Sequence, residues 1–119
     1  MSHILIVEDH AAIAYLFERL LKLHGYRVSV APDGVTALHI ATQDWPDGVV
    51  TDYRMPGMNG AELVDRLRTR QPDLPAVIVS AYTSEIAPVD ENTKVLSKPI
   101  AFDTLVDTLK KVLPPTHVA

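Results

Sequence analysis

The sequence contains no cysteine in 119 residues. This absence excludes a disulfide framework, a thiol nucleophile and zinc held by thiolates, and it is typical of proteins in a reducing compartment. Long apolar runs are missing as well, since the first strand-like run covers only Ile4 to Val7. Such a run is too short for a signal-peptide core or a bilayer span. We therefore expect a soluble, cytoplasmic protein with no membrane partner.

A basic surface stripe is a further feature that the sequence lacks. The formal net charge is -4, and acidic and basic residues are mixed along the chain. The densest basic cluster, Arg66 to Arg70, is typical of the solvated C-terminal end of a helix. The pattern therefore predicts no direct contact with nucleic acid. Hydrophobic residues make up 47% of the chain, which suits one domain over residues 1–119, with a core from 3 to 113 and a frayed tail from 114 to 119.

Five short strand-like runs alternate with longer amphipathic stretches. The runs are Ile4 to Val7, Tyr26 to Val30, Gly48 to Val50, Ala76 to Val79 and Val95 to Leu96. Most of them are unbroken apolar segments, as expected of parallel strands that are buried on both faces. The second run differs because its apolar residues alternate with Arg27 and Ser29. One wet face predicts that this strand lies at an edge of the sheet.

Four of the intervening stretches repeat their apolar residues with the period of an amphipathic helix. The predicted apolar stripes are, in chain order, Ile13, Leu16, Phe17, Leu20 and Leu21; Val35, Leu38, Ala41 and Trp45; Leu63, Val64 and Leu67; and Phe102, Leu105, Val106, Leu109, Val112 and Leu113. This alternation predicts an α/β fold, an open parallel sheet with helices on both faces and right-handed crossovers. The stretch between Ser80 and Lys98 has few apolar residues and contains Pro88, so we expect a short or irregular fourth helix there.

Polar residues end, or closely follow, four of the five predicted strands. They are Glu8 and Asp9 after the first strand, Asp52 after the third, Ser80 after the fourth and Lys98 after the fifth. Ligands of open α/β sheets bind at the carboxyl ends of the strands, where three neighbouring carboxylates need a counter-charge. Oxygen ligands of this kind suit Mg²⁺, and a carboxylate can accept a phosphoryl group as an acyl phosphate. One acid at a strand end is usually a helix cap, but polar residues at four strand ends are hard to explain in that way.

These motifs resemble those of bacterial response-regulator receiver domains, including chemotaxis regulators, in two-component signalling. The run from Ile4 to Asp9 is similar to the start of such domains, and Asp52 to Gly60 matches the phosphoacceptor loop Asp-x-x-Met-Pro-x-Met-x-Gly. Val79 to Ala81 and Lys98-Pro99 match two later motifs of the family. The resemblance covers the whole chain. It implies a single-domain, doubly wound (βα)5 fold of the flavodoxin-like kind, with strand order 2-1-3-4-5 and a shortened fourth helix.

The resemblance also implies a metal site and an acceptor. Asp52 would be the phosphoacceptor, and Asp9 would bind Mg²⁺ directly. Glu8 would assist Asp9, either directly or through water. Asp52 itself and the backbone carbonyl of Arg54 would complete the protein ligands.

Further residues have roles that the resemblance implies. Ser80 would bind a phosphoryl oxygen after transfer, and Lys98 would pair with the phosphate. Pro56 would shape the acceptor loop with Met55, and Gly60 would let the chain turn into the third helix. Members of the family usually have a cis peptide before the proline that corresponds to Pro99.

The sequence departs from the family pattern where the family places its conformational switch. Val95 occupies a position that commonly carries a tyrosine or phenylalanine, whose ring moves together with the residue matching Ser80. Tyr82 is a candidate substitute, and Tyr82 and Arg54 are expected to flank the acyl phosphate and tune its lifetime. The stretch from Ser80 to Lys98 is about one helical turn shorter than usual. Many members of the family contact their partners through the fourth helix, fifth strand and fifth helix, and this function cannot be carried over to a chain with a shortened fourth helix.

The predicted function is a receiver that accepts a phosphoryl group on Asp52 from a histidine kinase or a histidine phosphotransfer protein, with Mg²⁺ as cofactor. Phosphorylation would alter binding to an unknown downstream protein, and the chain would not be a turnover enzyme. A stand-alone receiver is the first reading, favoured by Met1 lying directly before the first strand. The alternatives are a domain of a hybrid histidine kinase or multidomain regulator, and a pseudo-receiver that is not phosphorylated.

Two other classes are disfavoured by single residues or motifs. An aspartyl-phosphate phosphatase would need a second Asp two residues after the nucleophile, where this chain has Arg54. A flavin or nucleotide module would need a glycine-rich or hydroxyl-rich loop after the first strand, where Glu8 and Asp9 stand instead.

Overall fold

The computed structural model describes residues 1–114, and the predicted frayed tail lies outside these residues from position 115 onward. Strands and helices alternate along the chain. The elements are β1 (His3–Val7), α1 (Ala11–Leu23), β2 (Arg27–Ala31), α2 (Gly34–Gln43), β3 (Gly48–Asp52), α3 (Gly60–Leu67), β4 (Ala76–Ser80), β5 (Thr93–Ser97) and α4 (Phe102–Val112). The predicted α/β alternation is confirmed. Strand β2 has the predicted length but begins one residue later, and the other four strands are one to three residues longer than the apolar runs alone indicated.

The five strands form one parallel sheet in the order β2-β1-β3-β4-β5. This is the order that the resemblance implied. The chain leaves β1 toward one side of the sheet to form β2 and returns to the other side to form β3. A crevice therefore opens at the carboxyl ends of β1 and β3, where the direction of winding reverses.

The three central strands are buried at every position, whereas β2 and β5 carry exposed residues. Arg27 is exposed in β2, and Lys94 and Ser97 are exposed in β5. The alternating sequence of the second strand thus correctly predicted an edge position. The two edges protect a centre made of almost purely β-branched and aliphatic side chains.

Helices cover both faces of the sheet and bury two separate apolar clusters. Because successive strand residues point to opposite faces, Leu5 and Val7 face α2 and α3, while Ile4 and Ile6 face α1 and α4. The first cluster also contains Ala37, Ala41, Val49, Leu63, Val64, Leu67 and Ile78, and the second contains Leu21, Val50, Val77, Val79, Leu105, Val106 and Leu109. Among the residues that the model describes, no helix is long and apolar enough to cross a membrane.

Two predicted helix stripes are partly wrong. In α1, Ala14 and Leu21 are buried, but Leu16 is 53% exposed and Ile13 is exposed as well. These two side chains line a cleft between α1 and the loop after β5. At the C-terminal end of α1, His24 lies edge-on to Phe102 of α4 at 5.2 Å.

The stripe of the second helix is displaced by the small size of its buried residues. The side chains that α2 buries are Ala37 and Ala41, which allow the helix to lie close to its neighbours. Val35 is exposed, and α2 ends at Gln43, so Trp45 lies beyond the helix and is 36% exposed.

The fourth crossover contains one 3-10 turn, Thr83–Glu85, in place of a helix. Two backbone hydrogen bonds hold this turn, from Glu85 N–H to the Tyr82 carbonyl at 3.1 Å and from Ile86 N–H to the Thr83 carbonyl at 3.2 Å. The expectation of a short or irregular helix in the fourth crossover is therefore confirmed, since the described residues of this crossover contain a single 3-10 turn and no α-helix. At the far end of the crossover, Arg68, which directly follows α3, donates to backbone carbonyls, among them that of Asn92 at 3.1 Å.

Candidate functional site

An acidic cluster lies at the carboxyl ends of β1 and β3. Carboxylate oxygens of Glu8, Asp9 and Asp52 lie within 4.8 Å of one another. The parallel register aligns Val7 with Thr51, so the residues that follow these two positions emerge side by side. Glu8 and Asp52 are each 6% exposed, while Asp9 is open to solvent. The sequence-based prediction that these carboxylates converge is correct.

Lys98 brings a cation to this cluster from the end of β5. Its Nζ lies 2.8 Å from Asp52 Oδ1 and 4.0 Å from Glu8 Oε1. The backbone N–H of Lys98 donates to the Ser80 carbonyl at 2.9 Å, and the Lys98–Pro99 peptide is cis. Burial by itself would lower the pKa of Lys98, but the hydrogen bond to Asp52 and the surrounding carboxylates raise it above its ordinary value. Lys98 is therefore charged where it meets Asp52.

One lysine does not balance the negative charge of three carboxylates. Burial, together with the hydrogen bond and charge of Asp52, raises the pKa of Glu8 to about 8, although the His10 N–H that donates to Glu8 Oε2 at 3.0 Å acts to lower it. The cluster thus retains a proton or attracts a further cation at neutral pH. Closely spaced carboxylate oxygens are the ligands that Mg²⁺ prefers. The donor set of Glu8, Asp9 and Asp52 therefore fits Mg²⁺.

The loop after β3 is shaped by two glycines with different functions. A Cβ on Gly60 would lie 2.3 Å from the Asp52 carbonyl oxygen, and the Gly60 N–H donates to the Tyr53 carbonyl at 2.8 Å. Gly60 is thus required for the close approach of α3 to Asp52, and its φ is not positive. The turn expected at Gly60 is made at Gly57, whose φ is +79°. The Pro56-Gly57 pair was the sequence signal for this turn, which the motif match alone did not single out.

The start of α3 is fixed directly after this loop. The Asn59 side chain accepts from the Glu62 N–H at 2.9 Å, and the Glu62 carboxylate accepts from the Asn59 N–H at 3.4 Å. This capping box satisfies backbone donors at the helix end. Met55 packs against the first apolar cluster, and the Thr51 hydroxyl donates to the Asp52 carbonyl at 2.9 Å. The backbone at Asp52 is consequently held on both sides.

Ser80 lies next to the acidic cluster in the sheet but does not bond to it. Its buried hydroxyl donates to Glu85 Oε1 at 2.9 Å and accepts from the Tyr82 N–H at 3.0 Å. Glu85 also accepts from the Arg54 guanidinium, with Nη2 at 2.6 Å from Oε2. Sequence reasoning missed Glu85, because a single acid in a weakly patterned segment carries no signal of its own.

The other residues predicted to act in switching or tuning are Arg54, Tyr82 and Val95. Arg54 is stacked over the Tyr82 ring, with its guanidinium carbon 5.7 Å from the ring centroid. Tyr82 is 64% exposed, and Val95 is half-buried in β5 opposite Ile78. Arg54 and Tyr82 therefore lie against each other beside the site. The metal-binding function assigned to the Arg54 backbone carbonyl stays a prediction.

A largely apolar cleft of about 530 Å³ lies beside the acidic cluster. It reaches Asp52 and Lys98 at its polar end, and Ile13, Leu16 and Ile100 line its apolar side. The cleft explains why two large aliphatic side chains of α1 remain exposed. The cleft thus has apolar walls and ends at the Asp52–Lys98 pair.

A model of the response regulator receiver domain family matches residues 4–110 of this chain. Sporulation initiation phosphotransferase F of Bacillus subtilis is 33% identical over 116 residues, which cover 93% of each chain. The chain spans 49% of the length of another relative, response regulator MprA of Mycobacterium ulcerans, at 35% identity over 92% of this chain.

Solved structures show the same similarity. The receiver domain of hybrid histidine kinase CckA has a TM-score of 0.82 and 33% identity, covering 94% of this chain and 99% of the other. The response regulator TrrA of Thermotoga maritima, solved in complex with Mg²⁺-BeF, has a TM-score of 0.84 and 29% identity, covering 95% of this chain and 100% of the other.

Proposed function

The chain belongs to the response regulator receiver domains of two-component systems, and on this premise we propose that it accepts a phosphoryl group on Asp52 in a Mg²⁺-dependent reaction. Receiver domains are phosphoacceptor signalling domains and not turnover enzymes. They interact with histidine kinases or phosphotransfer proteins, and we propose a protein of that kind as the donor. The observation that carries the proposal is the contact of the Asp52 carboxylate with Lys98 at 2.8 Å within the acidic cluster.

Asp52 acts as the nucleophile in this mechanism. One carboxylate oxygen attacks the phosphorus of a phosphohistidine, the N–P bond breaks, and its electron pair returns to the imidazole nitrogen. The product is an acyl phosphate on Asp52. Lys98 is already in contact with the carboxylate, so its charge is in place for the phosphoryl oxygens without reorganisation.

Glu8, Asp9 and Asp52, with the backbone carbonyl of Arg54, would hold the metal. When bound, Mg²⁺ supplies positive charge that offsets the charge of the phosphoryl group. Burial first, and then the hydrogen bond and charge of Asp52, raise the pKa of Glu8, so a cation bound next to this carboxylate would stabilise its charged form. A bound cation would let Glu8 ionise at neutral pH.

The cleft beside Asp52 supports a protein as the phosphodonor. Exposed Ile13 and Leu16 give the donor an apolar surface next to the reactive carboxylate. A relative similar over its whole length is a phosphotransferase, another is a regulator twice as long, and a structural neighbour belongs to a hybrid kinase. Two alternatives therefore stay predictions: that the receiver acts alone, and that it belongs to a larger protein. The downstream partner and the cytoplasmic localisation stay predictions as well.

The test is phosphorylation by acetyl phosphate with and without Mg²⁺, followed by intact-mass spectrometry. We expect the wild type to gain the mass of one phosphoryl group only with Mg²⁺, and Asp52→Asn to gain none. Asp73→Asn, which changes an exposed acid in the turn before β4 at the other end of the sheet, is the matched control and should behave as the wild type. Equal labelling of Asp52→Asn would overturn the assignment by placing the phosphoryl group on another residue. No labelling of the wild type would overturn it too, and would favour the pseudo-receiver.

A further inference from the structure

The Glu85 carboxylate accepts hydrogen bonds from the side-chain donors that lie near Asp52 on the β4 side. Its Oε1 accepts from the Ser80 hydroxyl at 2.9 Å and from Arg54 Nε at 3.1 Å. Its Oε2 accepts from Arg54 Nε at 2.9 Å and from Arg54 Nη2 at 2.6 Å. One carboxylate thus binds both Ser80, the last residue of the strand next to β3, and Arg54, which follows Asp52 by two residues.

The charges of this pair agree with a close contact. The Arg54 hydrogen bonds and charge lower the pKa of Glu85 below its ordinary value, with a smaller contribution from Ser80. The Glu85 carboxylate raises the pKa of Arg54. Both side chains are ionised over the physiological range, so the contact is not broken by titration. A competing anion can therefore separate them, whereas a change of pH within this range does not.

We propose that Glu85 is a latch that holds the Ser80 hydroxyl and the Arg54 guanidinium in the unphosphorylated protein and releases both when Asp52 is phosphorylated. The proposal rests on the proposed function, because it needs a phosphoryl group at Asp52. Glu85 is a positioning residue here and takes no part in the transfer itself.

The reason for release is competition between two anions for the same donors. A phosphoryl group carries about -1.5 to -2 charge and three strong acceptor oxygens, whereas Glu85 carries one charge and two oxygens. Ser80 and Arg54 therefore rebind to the phosphoryl group, and Glu85 loses all its side-chain partners among the described residues. The 3-10 turn that carries Glu85 is held by only two backbone hydrogen bonds, so it rearranges easily.

This latch performs the function that an aromatic switch would have at Val95. Valine at this position has no ring to move between buried and exposed states. The Tyr82 ring contacts Arg54 and lies in solvent, so it follows Arg54 when that side chain turns toward the phosphoryl group. Phosphorylation would thus be read out through the segment from 81 to 86, without a helix in the fourth crossover.

Thermodynamic reciprocity gives the test a definite sign. If the phosphoryl group displaces Glu85, then removing Glu85 must favour the phosphorylated form. The probe is beryllofluoride with Mg²⁺, a phosphoryl mimic whose binding is followed by fluorine NMR. We expect Glu85→Ala to bind it about fivefold more tightly than the wild type, and Glu85→Gln to show a smaller gain.

Two controls separate the latch from a general effect of charge. Glu91→Gln removes an exposed acid from the same crossover that forms no ion pair or hydrogen bond with the described residues, and its affinity should equal that of the wild type. In a Ser80→Ala background, the gain from Glu85→Ala should fall to about twofold or less, because half of the competition is already gone. Thermal unfolding of each variant verifies that it is folded.

The outcomes distinguish the two proposals. Unchanged or weaker binding by Glu85→Ala would overturn the latch alone, provided that the wild type binds. A gain of full size in the Ser80→Ala background would overturn it too, since simple repulsion would then suffice. Failure of the wild type to bind beryllofluoride at all would overturn the proposed function and the latch with it.

Discussion

Two carboxylate–cation pairs lie at the same edge of the sheet, and they differ in how they are anchored. Asp52 and Lys98 contact at 2.8 Å; Asp52 is the last residue of the central strand β3, and Lys98 directly follows the edge strand β5. Glu85 and Arg54 contact as closely, but one belongs to a 3-10 turn and the other to an exposed loop. The chemistry of the two pairs is nearly the same.

The difference lies in what holds each pair in place. The backbone of Asp52 is part of the β3–β4 ladder, and the first turn of α3 lies against its carbonyl. The turn of Glu85 has two backbone hydrogen bonds and exposed neighbours. A preorganised pair suits a reaction centre, whereas a loosely anchored pair suits an element that must change partners. Three substitutions test this contrast.

The largest effect is expected at Gly60, beneath the acceptor. A Cβ there would lie 2.3 Å from the Asp52 carbonyl, so Gly60→Ala must displace either α3 or the acceptor backbone. We expect a loss of about 3 kcal/mol in the free energy of unfolding, measured by circular dichroism in urea. Gly57→Ala is the control: it has open space but a φ of +79°, and strain alone should cost about 1 kcal/mol. Equal losses in both variants would show that the acceptor is not tightly enclosed.

The second-largest effect is expected from the ionisation of Glu8, which should change the free energy of unfolding with pH. Its pKa rises from an ordinary 4.5 to about 8, so the folded protein holds a proton that the unfolded chain releases. Without metal, the stability due to this group is therefore present below pH 4.5 and is lost as the pH rises toward 8. The groups with lowered pKa, such as Asp33 and Asp44, act below this window.

Glu8→Gln should remove this loss, because glutamine has no proton to lose. We expect the variant to be more stable than the wild type by about 2 kcal/mol at pH 8 without metal, and by much less at pH 5. Urea titrations at the two pH values measure the difference. Saturating Mg²⁺ should raise the stability of the wild type at pH 8 and bring the two proteins together. A difference that does not depend on pH would contradict the charge argument.

The smallest effect is expected in the crossover. Val89 is exposed and lies in the extended part after the 3-10 turn, so Val89→Ala should cost about 0.5 kcal/mol or less. Val79 is a matched residue in β4, 5% exposed, and Val79→Ala should cost several times more. Similar losses would mean that the crossover is packed as firmly as the sheet, which would weaken the contrast between the two pairs.

The first pair was largely predictable from the sequence, and the second was not. Apolar runs that end in polar residues identify the strands, and parallel strands bring their carboxyl ends to one edge, so Asp52, Asp9 and Lys98 could be placed together. Glu85 and Arg54 lie 31 positions apart in segments without period, so only the folded backbone brings them into contact. The prediction that the whole apolar face of α1 is buried failed for another reason. Periodicity predicts which side of a helix is apolar, but not whether a neighbouring element covers that side.

The position of Trp45 has a practical consequence for optical measurements. It is the only tryptophan in the chain, and it lies before β3, at the end opposite to Asp52. The length of β3 separates them by about 15 Å. Its fluorescence should follow the integrity of the α2–β3 junction, where Arg70 stacks on the indole ring at 5.8 Å. Intrinsic emission would then report unfolding while staying almost silent to metal and phosphoryl binding, so a tryptophan placed in the 81–86 segment is needed to see the switch.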